Sequence, residues 1–300
     1  MHGQSGEINS FYHLFLHRKK SNMNKVILLI SLITCINGSI AAQYYYKDII
    51  SNKQSNADLA NYKENKIRNI RIHSFEANGE ESKGFYCEKK INKNYTKITT
   101  YTKSFVSDKS MLTSFYNENG QITESRDSSE LSVAASFFRY DVKGNLISVT
   151  STAHSADEDF LTSHTEEHLY QYNEKGSPEK MFRIKNKKDT AIIDFLTDEK
   201  GNVTDEIDIN KFGIHYYYYY DAKKRLTDIV KYNVPKAKLL PDVMFEYNYD
   251  GQLAQMLTRE EGATTDYFTW KYVYNDGLRI IEKCFSKEKT LMGYFEYEYN

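Results

Sequence analysis

Glycine and proline are scarce in this chain, 14 and 3 residues of 300, too few for a collagen-like or low-complexity polypeptide. Cysteine is scarcer still: Cys35, Cys87 and Cys284 are the whole complement, so no disulfide framework holds a domain of this size. Neither sign of charge dominates, with 40 basic against 41 acidic side chains, and that balance leaves no basic footprint for nucleic acid. There is no Gly-x-Ser-x-Gly elbow, no phosphate-cradling loop and no dinucleotide fingerprint, which removes the usual sequence signals of hydrolases, NTPases and dehydrogenases. Long apolar runs are missing too. The best, Val26 to Ile36, has 11 residues, short of the roughly 20 that a spanning helix needs.

That run has the layout of a secretory signal peptide: Met23, Asn24 and Lys25 before it, and the small residues Ser39, Ala41 and Ala42 behind it. Residues 23–42 are therefore expected to be a signal peptide cleaved after Ala41 or Ala42, with Met23 as the true start and residues 1–22 a leader outside the fold. Asn37 and Gly38 interrupt the stretch before it can serve as an uncleaved anchor. Leu32, Ile33 and Thr34 lack the small residue that a lipoprotein site places before its cysteine, here Cys35. Loss of residues 1–42 leaves a net charge of about −4 and no grip on phosphate or anionic lipid. The expected location is the periplasm, the cell surface or the medium, with no membrane span after cleavage. Cys87 and Cys284 remain, and they can pair only if the first and last parts of the fold meet.

What the chain has in abundance is tyrosine: 26 Tyr and 16 Phe against one Trp, a bias toward strands. Self-comparison exposes a repeat. Tyr140-Asp141-Val142-Lys143-Gly144-Asn145-Leu146 recurs from Tyr116 through Gly120, from Tyr172 through Gly176, from Thr197-Asp198 through Gly201, from Tyr220-Asp221 through Lys224, from Tyr247 through Gly251, and in shortened form from Tyr274 through Gly277. The intervals are 24, 32, 25, 23, 27 and 26 residues. Asp or Asn at the first corner of a type I turn can bond backbone two residues on, and glycine at the fourth position accepts the left-handed conformation of a bulged hairpin loop. Each copy reads as a hairpin tip. Its flanks alternate at period two, as in Val243, Phe245, Tyr247 or Phe268, Trp270, Tyr272, Tyr274. Ile70, Ile72 and the turn Glu76 to Gly79 before Phe85 form a degenerate first hairpin.

These tips resemble the YD-repeat, or RHS-like, family, whose units carry Tyr-Asp-x-x-Gly-Arg-Leu. Phe138-Arg139-Tyr140-Asp141 with Gly144 and Leu146 is the best copy, and Lys224-Arg225-Leu226 keeps the Arg-Leu while losing the glycine. The resemblance covers residues 112–300. It implies a long antiparallel sheet that coils on itself, in some members into a shell around a toxin cargo. This chain is short for the family, and no cargo domain is expected after Phe295-Glu296-Tyr297-Glu298-Tyr299-Asn300. The expected fold is thus all-β: consecutive antiparallel hairpins of about 25 residues over 65–300, forming a coiled open sheet or solenoid of roughly 14 to 18 strands, preceded by a polar linker or short helix at 43–64. The last strand is expected to be a sheet edge, guarded by Glu296 and Glu298.

Candidates for chemistry are few. His164-Thr165-Glu166-Glu167-His168 matches the His-x-x-Glu-His pattern of zinc peptidases. The segment runs straight into a tip, however, so it reads as a strand, where residues four apart stand about 13 Å apart and cannot share an ion. Asp157-Glu158-Asp159 offers calcium-type oxygens without the glycine-spaced loop of such a site, and reads as a solvated acidic loop. Tyr216 to Tyr220 is a run of five tyrosines. On a strand Tyr217 and Tyr219 face away from Tyr216, Tyr218 and Tyr220, offering one aromatic surface to packing and the other to a sugar ring or a partner protein. The expectation is an exported, non-catalytic repeat protein acting as an envelope or secreted binding or scaffold module, without cofactor or metal, its partner a protein or glycan. A secreted hydrolase with a site built between repeats, and a remnant of a toxin-delivery shell, are the alternatives.

Overall fold

The computed structural model describes residues 44–105, 109–130, 132–155, 163–209, 215–233, 237–259 and 267–300. The first two expected segments, 1–22 and 23–42, and the Asp157-Glu158-Asp159 loop lie outside them. One helix, α1 (Lys47–Glu64), precedes the strands. These are β1 (Asn69–Glu76), β2 (Tyr86–Ile91), β3 (Lys97–Lys103), β4 (Ser110–Tyr116), β5 (Ile122–Ser129), β6 (Ser132–Tyr140), β7 (Leu146–Ser155), β8 (Ser163–Tyr172) and β9 (Pro178–Lys185). They continue as β10 (Asp189–Thr197), β11 (Val203–Asp208), β12 (His215–Tyr220), β13 (Leu226–Asn233), β14 (Lys238–Tyr247), β15 (Leu253–Arg259), β16 (Tyr267–Asn275), β17 (Leu278–Phe285) and β18 (Leu291–Tyr299). Each pairs antiparallel with the next, and β18 pairs with β1, so the 18 strands form one closed barrel.

Closure corrects the expected open sheet or solenoid. The seam runs over seven residue pairs, from Ile70 opposite Tyr299 to Glu76 opposite Gly293, and the Asn69 and Asn300 backbones bond each other in both directions at 2.7 and 2.8 Å. Joining first to last strand satisfies the two rows of backbone donors and acceptors that an open sheet leaves bare. β18 is therefore not an edge. Glu296 and Glu298 face outward across from His73 and Arg71, and His73 Nε2 lies 3.5 Å from Glu298. The ends meet, yet Cys87 and Cys284 stay free. Cys87 is opposite Ile72 and Cys284 opposite Gly293, so β1 and β18 stand between them, three strand spacings or about 14 Å across, and Gly293 is a further four residues along β18 from Tyr297, which faces Ile72.

The tips show why the repeat folds this way. Gly144 N donates to the Asp141 carbonyl at 3.0 Å, and Asp141 Oδ1 accepts from the backbone of Lys143 and Asn145 at 2.8 Å each. Asp198 and Asp221 do the same at their own tips. Gly144 has φ 83°, a conformation that other residues adopt only with strain. Behind each repeated tip the ladder steps by one residue, as where Arg139 faces Ser148 but Tyr140 faces Leu146. This bulge reverses the inside–outside parity of the strand that follows.

The lumen is the core. Ile70, Ile72, Ile193, Phe195, Tyr216, Tyr218, Trp270 and Phe295 all face it and are buried. The outer wall carries many of the charges: Arg71 is opposite Glu88, Lys180 pairs with Asp194, and Lys271 is opposite Lys283. Residues 44–64 lie in the lumen at the end carrying the tips. Along this segment, Tyr45 and Tyr46 reach β11, Asn52 reaches β6, Asn56 reaches β5 and Asn61 reaches the Gly277 tip. Among the described residues no helix is long and apolar enough to cross a membrane.

Candidate functional site

The lumen gathers most of the buried chemistry around the start of α1. Tyr46, at its N-cap, has no side-chain capping bond; Glu206 of β11 supplies one from across the lumen. Its two oxygens accept from the backbone N–H groups of Tyr45 and Tyr46 at 2.8 Å each, and from the Tyr218 hydroxyl at 2.7 Å. A carboxylate here satisfies orphan amides and meets the positive end of the helix dipole. Burial raises the Glu206 carboxyl to about 7 against those three donors. Rings complete the anchor, with Tyr46 edge-on to Tyr218 at 5.2 Å and Tyr45 edge-on to His168 at 5.3 Å.

One turn on, Asp48 Oδ2 lies 2.6 Å from His168 Nδ1 and accepts from the Tyr170 hydroxyl at 2.8 Å. His168 Nε2 is 2.9 Å from Glu166 Oε1. Burial works against the imidazolium, but the charges and hydrogen bonds of Asp48 and Glu166 outweigh it and raise His168 to about 9. The bond from His168 in turn holds the Glu166 carboxyl below its ordinary range. An imidazolium donating from both nitrogens is neither a general base nor a metal ligand. His164 sits four residues farther along the same face, opposite Ala153. The His-x-x-Glu-His pattern is thus a strand whose second histidine clamps the helix. Among the described residues no three His, Cys, Asp or Glu side chains converge as metal ligands.

A second buried cluster lies near the seam. Glu282 accepts from the Tyr297 hydroxyl at 2.8 Å and pairs with Arg279 at 3.2 Å, while the Arg279 guanidinium covers the Tyr272 ring at 4.3 Å. It holds β17 to β18 and leaves no carboxylate free.

The outer wall carries a different constellation. Tyr216 and Tyr218 are buried in the lumen, and Tyr217 and Tyr219 point outward, Tyr219 being 46% exposed. Tyr217 stands between Asp205 of β11 and Val230 of β13, and Tyr219 is opposite Asp228. His215 stacks on Tyr217 with ring centroids 3.9 Å apart and is held by Asp205 at 2.8 Å.

The turn residues Tyr116, Gly120, Tyr140, Asp141, Gly144, Tyr172, Gly176, Asp198, Gly201, Tyr220, Asp221, Tyr247, Gly251, Tyr274 and Gly277 lie at or beside the tips. Their tyrosines turn into the lumen rather than forming a surface site. Glu206 and Asp48 escaped the sequence reading. Alternation counted from Val203 puts Ile207 inside and Glu206 outside; the bulge between Thr197 and Leu196 opposite Val203 and Asp205 inverts that, and Glu206 and Asp208 both end up buried.

No protein-family model matches this chain, and no curated protein matches it in sequence. Among solved structures it is similar to the Tc toxin complex TcdB2-TccC3-Cdc42, at a TM-score of 0.31 and 12% identity over 73% of this chain and 12% of that one. The Photorhabdus luminescens Tc holotoxin pore matches at 0.32 and 12%, over 72% of this chain and 12% of that one. A porin-like protein from Bacteroides uniformis matches at 0.31 and 8%, over 78% and 98%. Likenesses at this level add nothing beyond the all-β hairpin architecture already described.

Proposed function

We propose that this protein is an exported, non-catalytic barrel of YD-like repeats that serves as a binding or scaffold module of the bacterial envelope or its surroundings. The observation that carries the reading is the occupied lumen. Asp48, Glu166, His168, Glu206 and Glu282 are all engaged in holding the barrel's own segment and seam, so the accessible surface is the outer wall. The charges on that wall support a water-facing reading. Outward lysine and arginine on β1, β9, β16 and β17 would each cost about 2–4 kcal/mol at a bilayer midplane. Export rests on the Val26 to Ile36 run and the small residues after it.

The test is fractionation of cells making the full chain with a C-terminal tag, followed by N-terminal sequencing. The expected outcome is protein in the envelope or medium beginning at Ala42 or Gln43. Retention in the cytoplasm with an intact leader would overturn the reading.

A further inference from the structure

We infer that the outer face of β11, β12 and β13 is a binding site for an uncharged polysaccharide, with Tyr217 and Tyr219 as stacking platforms and Asp205 and Asp228 as acceptors for sugar hydroxyls. This deepens the reading of the barrel as an exported binding module and rests on it.

The site is assembled by strand register alone. Tyr217 and Tyr219 are two residues apart on one strand, so their backbones stand about 6.6 Å apart and both side chains leave the same face. The cross-strand pairs set Asp205 beside Tyr217 and Asp228 beside Tyr219, one carboxylate on each flank. Tyr232, two positions beyond Val230 on the same face of β13, extends the aromatic strip. Burial, and after it the nearby Asp205, Tyr219 and Tyr232, push the Tyr217 hydroxyl upward. His215, two residues before Tyr217 on the same outer face, stacks on one side of that ring and is held by Asp205, which fixes the orientation of the ring beside Tyr219.

The chemistry selects among occupants. Flat aromatic faces take the C–H faces of pyranose rings, and carboxylates beside them accept from hydroxyls. Asp228 has no ion-pair partner among the described residues, and no lysine or arginine stands opposite Tyr217 or Tyr219. An acidic glycan, nucleic acid or anionic membrane would meet carboxylates without a cation. A second copy docking by a two-fold axis would press the same acidic strip against itself. A neutral glycan has neither difficulty. The rings are also rigid at low entropic cost, because the sheet holds their backbone.

The test is affinity electrophoresis of the full chain through gels containing xyloglucan, mannan or laminarin, with polygalacturonate as the acidic control. At least one neutral polymer should retard the protein and polygalacturonate should not. Tyr219→Ala should weaken retardation about tenfold, Asp228→Asn several-fold, and Tyr219→Trp should keep it. Tyr219 is exposed, and circular dichroism verifies that each variant keeps the sheet. No retardation by any neutral polymer overturns the proposal, as does retardation that Tyr219→Ala and Asp228→Asn both leave intact. If the glycans fail but a photo-crosslinker at position 219 captures an envelope protein in fractionated cells, the glycan assignment falls and the exported module stands. If the protein never leaves the cytoplasm, the broader reading falls by itself.

Discussion

The Tyr140 hydroxyl donates to the backbone carbonyl of Ile122 at 2.6 Å and accepts from the Asn52 side-chain amide at 2.6 Å. One bond straps a hairpin to the tip before it, and the other straps the wall to the lumenal helix. The first recurs: Tyr172 to Leu146 at 2.8 Å, Tyr247 to Leu226 at 2.7 Å, Tyr299 to Arg279 at 2.6 Å. In each case the acceptor is at or beside the first strand residue after a tip, where the bulge disturbs the ladder. The repeated tyrosine is thus a cross-hairpin strap as well as an apolar filler.

Replacing Tyr140 with Phe leaves both partners unsatisfied in a partly buried site. The expected loss is about 1–2 kcal/mol of unfolding free energy, read as a lower denaturant midpoint at unchanged slope. Tyr249→Phe is the control, since Tyr249 is fully exposed. Equal midpoints for the two variants would remove the strap.

Lys224 occupies the glycine slot of its tip at φ 64°. Lys224→Gly should relieve left-handed strain and stabilise the protein by about 0.5–1 kcal/mol. The reverse experiment discriminates two other tips. A Cβ at Gly201 would come within 2.7 Å of Ser177 Oγ, while one at Gly176 meets nothing within 4 Å. Thermal unfolding should therefore rank Gly201→Ala below Gly176→Ala, and both below the parent.

Deleting Leu291 to Asn300 removes β18 and turns β1 and β17 into open edges. Light scattering should show aggregation during refolding, because two long rows of unpaired backbone groups invite pairing between chains. A monomeric, fully folded product would mean that the seam is dispensable.

Stability should fall as pH rises from 5 to 9. Glu206 titrates at about 7 in the fold, above its ordinary value of 4.5, so the native state binds the extra proton between those values and loses that advantage as pH climbs. His168, raised from 6.5 to about 9, contributes fully below 6.5 and is lost through 9. The histidine step is on the order of 3 kcal/mol. Melting curves of Glu206→Gln should flatten the lower part of the profile and those of His168→Gln the upper part. A parent profile flat from 5 to 9 would refute both.

The hairpin units were legible because their signals are local. Asp141, Gly144 and the alternating flanks need only neighbours within a few residues to form a tip, and the tyrosine run announces two aromatic faces whichever way the sheet bends. The same locality misled the reading at β18. Glu296 and Glu298 look like edge guards when no partner is in view, while the meeting of the ends that a Cys87–Cys284 bridge requires is present without the bridge. Bulges hid Glu206, since one extra residue exchanges inside for outside and leaves the composition unchanged.

The amino-acid sequence alone determined that this chain folds as serial antiparallel hairpins about a tyrosine-led turn, because turn chemistry and period-two patterning are properties of consecutive residues. Only the tertiary structure decided that the ribbon closes, that Lys47–Glu64 is a helix lodged in its lumen, and that His168 and Glu206 hold it there. Those outcomes depend on accumulated twist and register over all 18 strands and on side chains more than 100 residues apart, separations over which no local pattern constrains the partner.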